Sequence, residues 1–314
     1  MIYAKSLRVD YEELTAVQDV DLEIKAGQIY GLVGPNGAGK TSTIKALAGI
    51  LEPTYGEIKL ANIDLDLDPE NALRQLGYMP DFPPVYENLK VWEYLDVFAA
   101  AYLIDRKERV GRVEHWLQKV DLLGKRNTFT KELSRGMRQR LVLAKTLLHE
   151  PKVLLLDEPA SGMDPIARME LRKMLVNCAA RGAAVLISSH ILTELSDFCN
   201  AIGIMEKGRM VVSGTIDDIR ARIGSKGHMI VRLAMVNDRN REKLRQILSS
   251  KQLLIHNLQE ELPGQFRAIF SGVDIEASAL LHEMITNDLS IAEFHVQKEN
   301  MEDIFMKIGA KEVS

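Results

Sequence analysis

Five short apolar runs, at residues 29–33, 76–79, 153–156, 184–188 and 201–205, recur along the chain between stretches with helical spacing. Runs without polar alternation read as strands buried on both faces, so they predict a largely parallel central sheet covered by helices. Helical spacing covers 40–49, 134–149, 165–181 and 190–199, and Pro165 falls where the first turn of a helix tolerates proline. Residues 2–10 and 15–24 alternate more and predict an antiparallel flank. Residues 83–129 are mostly helical, which predicts a helical insertion in the α/β core.

After Gly224-Ser225-Lys226-Gly227 the units become shorter. Strands at 228–233, 253–257, 266–271 and 290–295 alternate with helices at 239–249 and 274–286, and a last helix is predicted at 301–308. The order βαββαβ is that of a ferredoxin-like split βαβ unit. The expected fold is an α/β domain over 1–224, with a helical subdomain at about 83–149, followed by a small α+β ferredoxin-like domain over 225–314. That second domain has no cluster of His, Cys or carboxylates at ligand spacing, so its expected role is regulatory or dimerising.

Composition narrows the function classes. The chain has 314 residues, 46% hydrophobic and 27% charged, with a net charge of −4; this is globular material and excludes disorder, collagen and disulfide scaffolds. The slight negative balance argues against a general electrostatic grip on nucleic acid. Cys178 and Cys199 lack metal or redox spacing and read as buried thiols in a reducing cytosol. The most apolar stretch, residues 94–104, is 11 residues long and contains Asp96, too short to span a bilayer, and the first residues lack the long apolar core of a signal peptide.

The chemistry begins at Gly34-Pro35-Asn36-Gly37-Ala38-Gly39-Lys40-Thr41-Ser42, which matches G-x-x-x-x-G-K-[ST] between an apolar run and a helical segment. Glycines 34, 37 and 39 let the backbone point successive N–H groups at phosphates, with the helix N-terminus behind them. Lys40 would reach the β- and γ-phosphates, and the Thr41 hydroxyl would sit on Mg²⁺. The run 153–156 ends in Asp157 and Glu158, at the strand end where α/β sheets place ligands. Neighbouring strand residues point to opposite sides, which makes Asp157 the candidate for the Mg²⁺ shell and Glu158 the candidate for polarising an attacking water.

With Leu133-Ser134-Arg135-Gly136-Met137-Arg138-Gln139-Arg140, which is similar to the signature LSxGxxQR, residues 1 to about 224 resemble the nucleotide-binding subunit of ATP-binding-cassette (ABC) transporters, a P-loop NTPase family. The resemblance implies an ATP- and Mg²⁺-dependent ATPase that works as a head-to-tail homodimer or heterodimer. In it Ser134, Arg135, Gly136 and Met137 would face the nucleotide of the second subunit, Asp164 in Ser161-Gly162-Met163-Asp164 would lie on the loop crossing the interface, and His190 would contact the γ-phosphate. Tyr11 stands where the family stacks an aromatic on adenine. Asn36 and Ala38 would join the glycines, Lys40, Thr41 and Ser42 around the phosphates.

One position departs from the family. Asp81 follows the strand 76–79 where glutamine is common; a carboxylate can still accept from a metal-bound water but cannot donate. The adjacent segment 82–89 resembles the surface that meets an integral membrane permease, and the tail 301–305 resembles those of simple exporters with separate membrane chains. The implied location is the cytoplasmic face of the cell membrane, peripheral, with no specific nucleic-acid partner. The alternative is a soluble ABC ATPase acting on DNA or ribosomes, against which stand the absence of a sustained heptad and of a second phosphate loop.

Overall fold

The computed structural model describes residues 1–81, 84–196, 198–216, 218–219 and 227–297. The helix predicted at 301–308 and the tail 301–305 lie outside the described residues, as do Phe82, Pro83 and Gly224 to Lys226. The chain divides into two units, Met1–Ile216 and Asp217–Ser314; the sequence reading puts the division eight residues later.

The first unit opens with β1 (Ile2–Tyr11) and β2 (Leu14–Ile24), paired antiparallel, with β4 (Tyr55–Leu60) on the other edge of β1 and the two-residue β5 (Ile63–Asp64) beyond it. The second sheet is built on β3 (Ile29–Val33), β6 (Leu76–Met79), β7 (Val153–Leu156), β8 (Ala184–Ser189), β9 (Ala201–Glu206) and β10 (Arg209–Thr215). Its order is β10-β9-β3-β8-β7-β6, parallel except for the β9–β10 hairpin. All of β3, β7 and β8 is buried, which is why these runs lack alternation.

Helix α1 (Lys40–Leu47) packs on β1, β2 and β7 between the two sheets. Its Ile44 and Leu47 join Ile2, Leu7, Leu60, Leu155 and Leu186 in one core. Helix α2 (Pro69–Arg74) precedes β6 and is capped by Asp68, which accepts from the Asn71 N–H. The helical subdomain consists of α3 (Val91–Ala101), α4 (Arg106–Lys119) and α5 (Arg135–Leu147), packed on one another, with α5 also against β6. Helix α6 (Pro165–Ala180) starts at Pro165 as expected. The helix expected at 190–199 is shorter, α7 (Leu192–Ser196).

The second unit runs β11 (Gly227–Leu233), α8 (Asp238–Ser250), β12 (Ile255–Leu262), β13 (Gln265–Phe270), α9 (Asp274–Thr286) and β14 (Ile291–Gln297). Its sheet order is β12-β13-β11-β14 with every neighbouring pair antiparallel. Phe266, Phe270, Leu244, Leu280 and Met284 fill its own core. Among the described residues no helix is long and apolar enough to cross a membrane.

Candidate nucleotide-binding site

The turn from β3 into α1 forms the floor of a cavity of about 730 Å³. Gly39, at the N-cap of α1, has φ +102°, and a Cβ there would sit 2.4 Å from the Ala16 carbonyl oxygen. Only glycine tolerates both constraints. Gly37 has φ +82° and open space where a Cβ would be, so its backbone faces the cavity. Among the described residues no side chain caps the N-terminus of α1, which leaves its first N–H groups for a ligand of negative charge.

Lys40 is 6% exposed; its Nζ donates to the Gly34 carbonyl at 2.6 Å and the Pro35 carbonyl at 3.2 Å, and lies 3.7 Å from Glu158 Oε1. Burial pulls its pKa below the ordinary lysine value, opposed by Glu158 and Asp157. The other Glu158 oxygen is 2.9 Å from His190 Nδ1. Glu158 thus stands between an ammonium and an imidazole, with its backbone held at φ +48°.

Behind it, Ser188 Oγ donates to Asp157 Oδ1 at 2.6 Å and accepts the Glu158 N–H at 2.9 Å. One hydroxyl at the end of β8 therefore orients both acidic residues at the end of β7. Gln139 of α5 donates to the Pro159 carbonyl at 2.8 Å, tying the helix to the same turn. Ser188→Ala would remove both hydroxyl bonds at a fully buried carboxylate. Its unfolding free energy should fall by about 1–3 kcal/mol, measured as a lower urea midpoint at unchanged slope.

The cavity wall brings together most of the residues expected from sequence. Tyr11, at the end of β1 and 41% exposed, lies on it with its hydroxyl 3.4 Å from Ser42 Oγ. Asn36, Ala38, Thr41 and Asp81 line it as well. Asp81 Oδ1 is buried with no hydrogen-bond partner among the described residues, and its pKa is raised by burial first and then by Asp157 and Glu158. Gly34 and Asp157 sit behind the lining rather than on it.

Ser134, Arg135, Gly136, Met137 and Asp164 are not on this wall. Ser134 caps α5, its Oγ accepting from the Met137 N–H at 3.3 Å, and Asp164 caps α6, accepting from the Ala167 N–H at 2.9 Å. Arg135 reaches Ser161 Oγ at 3.3 Å, so the start of α5 touches the loop before α6 within one chain.

Sequence reasoning missed several contributors, Leu14 and Thr15 among them. Ala16, Gln18, Lys207 and Gly208 also line the cavity; the Gly208 N–H donates to the Ala38 carbonyl at 3.0 Å and its carbonyl accepts from Gln18 N at 2.7 Å. The turn between β9 and β10 thereby braces the phosphate loop against β2. The Lys-Gly pair after an apolar run is a hairpin signal that could have placed the turn, though nothing in it pointed to the loop.

The sequence profile described as ABC transporter matches residues 17–161. The probable multidrug ABC transporter ATP-binding protein YbhF of Escherichia coli K12 is 35% identical over 222 residues, 71% of this chain; the chain spans only 38% of that relative's length. The bacitracin transport ATP-binding protein BcrA of Bacillus licheniformis is 30% identical over 95% of this chain and 94% of its own. The solved structure of an ATP binding subunit of an ABC transporter superposes with a TM-score of 0.67 at 34% identity, covering 71% of this chain and 93% of the other. With the phosphate loop, the paired acids and the signature in one unit, the chain belongs to the ATP-binding subunits of ABC transporters.

Proposed function

We propose that this chain binds Mg-ATP and, paired head to tail with a second ATPase subunit, identical or not, hydrolyses it to drive a separate membrane permease in the direction of export. The observation that carries the pairing is that the signature residues lie off the wall of a cavity that holds the other nucleotide-binding residues. One chain supplies half a site. Ser134 uses its oxygen as a helix cap but keeps its O–H free to donate, and with the N–H groups at the start of α5 it can receive a phosphate from outside the chain.

Within the site, Tyr11 offers a face for adenine, the loop backbone and Lys40 hold the triphosphate, and Glu158 accepts a proton from the attacking water. His190, held to Glu158, is placed to steady charge on the transferred group. Thr41, Asp157 and the unpartnered oxygen of Asp81 are hard oxygen donors that fit Mg²⁺. When bound, that ion would neutralise the charge of the triphosphate.

The export direction rests on the relatives, one named for bacitracin transport over nearly its full length. The place of work is then the cytoplasmic face of the membrane. For the second unit, the order β12-β13-β11-β14 supports the ferredoxin-like reading and a regulatory or dimerising role. The test is to tag the chain in its host, solubilise the membranes in mild detergent and identify what co-purifies. A multi-span membrane protein is expected; recovery of ribosomes, DNA or soluble proteins alone would overturn the permease reading.

A further inference from the structure

Lys145, on the inner face of α5, is a half-buried ammonium whose partners are all uncharged. Its Nζ donates to the Tyr78 carbonyl of β6 at 3.2 Å and lies 5.4 Å above the centre of the Phe98 ring of α3. Burial alone moves its pKa, down to about 8, and no carboxylate among the described residues pulls it back. Each titratable group around it is neutral near pH 7. Tyr78 on β6 is pushed up to about 12, Tyr94 and Tyr102 on α3 are raised by burial, and His149, just past the end of α5, is pushed down to about 4.

An ammonium taken partly out of water without a counter-charge costs stability, and here it lies under an exposed aromatic surface. Tyr86, 59% exposed, stacks on Phe98 with ring centres 6.2 Å apart. Val97, one residue before Phe98, is 46% exposed. Tyr86 is fixed from below, its carbonyl accepting from the buried Thr130 hydroxyl at 2.7 Å. The stacked Tyr86 and Phe98 rings thus lie beside an ammonium that has no carboxylate partner among the described residues, an arrangement complementary to an apolar segment that carries one carboxylate.

We propose that Lys145 is the recognition point for an Asp or Glu on an extramembrane loop of the membrane partner, the loop's apolar side chains packing on Tyr86, Phe98 and Val97. This rests on the permease reading above. The pairing also has a mechanical consequence, because Lys145 and Thr146 both donate to the Tyr78 carbonyl. A loop that pulls on Lys145 acts at once on α5, which begins with the signature, and on β6, which leads to Asp81.

The experiment isolates the complex from native membranes in mild detergent, couples amines to carboxylates with a carbodiimide, and maps the linked peptides. The expected product is an amide between Lys145 and an Asp or Glu of the co-purified membrane protein. Lys145→Met should reduce retention of that protein about tenfold or more at pH 7, with nucleotide affinity as the control for folding. Raising the pH from 7 to 9 should release the wild type but not Lys145→Arg, whose charge does not titrate there. Undiminished retention by Lys145→Met, or links at neighbouring lysines with none at Lys145, overturns the proposal. Should Lys145→Met fail to fold, equal pH sensitivity of wild type and Lys145→Arg overturns it instead. If the wild type brings down no membrane protein, the permease reading fails and takes this inference with it.

Discussion

Glu158→Gln should lower ATP turnover by about 10²–10⁴-fold while leaving ATP bound, and should accumulate a stable ATP-bound dimer. The amide keeps the shape of the side chain and the backbone anchor from Glu158 N–H to Ser188 Oγ at 2.9 Å. It can no longer accept a proton from water. It also removes the negative charge 3.7 Å from Lys40 Nζ, freeing that ammonium for phosphate, so nucleotide affinity should hold or rise. Single-turnover kinetics and sedimentation with ATP give the two readouts. A variant that turns over at the wild-type rate would remove Glu158 from the chemistry, and one that stays monomeric with ATP would overturn the head-to-tail pairing.

Lys40→Met should weaken Mg-ATP binding by roughly a hundredfold, the loss of about 3 kcal/mol of charge-assisted contact, measured by titration calorimetry. Its effect on the nucleotide-free protein should be far smaller. The lysine is 6% exposed and burial lowers its pKa, so the folded chain holds that proton less tightly than the unfolded chain does. That cost is full below the lowered pKa and fades as pH rises toward the ordinary lysine value. The Met variant lacks both the cost and its relief, so wild-type stability should climb relative to it through that alkaline window. A variant that unfolds at neutral pH while the wild type does not would show that the carbonyl bonds from Lys40 to Gly34 and Pro35 hold the loop together.

What the sequence showed and what it hid divide along a physical line. The buried parallel strands, the phosphate loop and the Asp157–Glu158 pair were readable because each rests on a local pattern: an unbroken apolar run, glycines at fixed offsets, acids at a strand end. The strands β4 and β10 were not read. They are half-buried, and β4 opens Tyr-Gly while β10 carries Ser213 and Gly214, so neither gives a clean period. The role of Ser188 was invisible for a different reason, since its two bonds reach residues 30 and 31 positions away. Asp81 could be located but not interpreted from sequence; only its buried, unpartnered oxygen beside the other two acids gives it a physical character.

The left-handed backbone at Glu158 carries a further consequence for how such genes age. A residue with a Cβ at φ +48° costs about 1–2 kcal/mol relative to an unstrained one, whereas Asn and Gly adopt that conformation readily. Stability and turnover therefore pull in opposite directions at this one codon. In a duplicated copy released from the need to hydrolyse ATP, the backbone strain would favour drift to Asn or Gly, opposed by the loss of the carboxylate beside Lys40 and His190. The residue at position 158 then serves as a marker, legible in a gene sequence, of whether the copy is still selected as a motor.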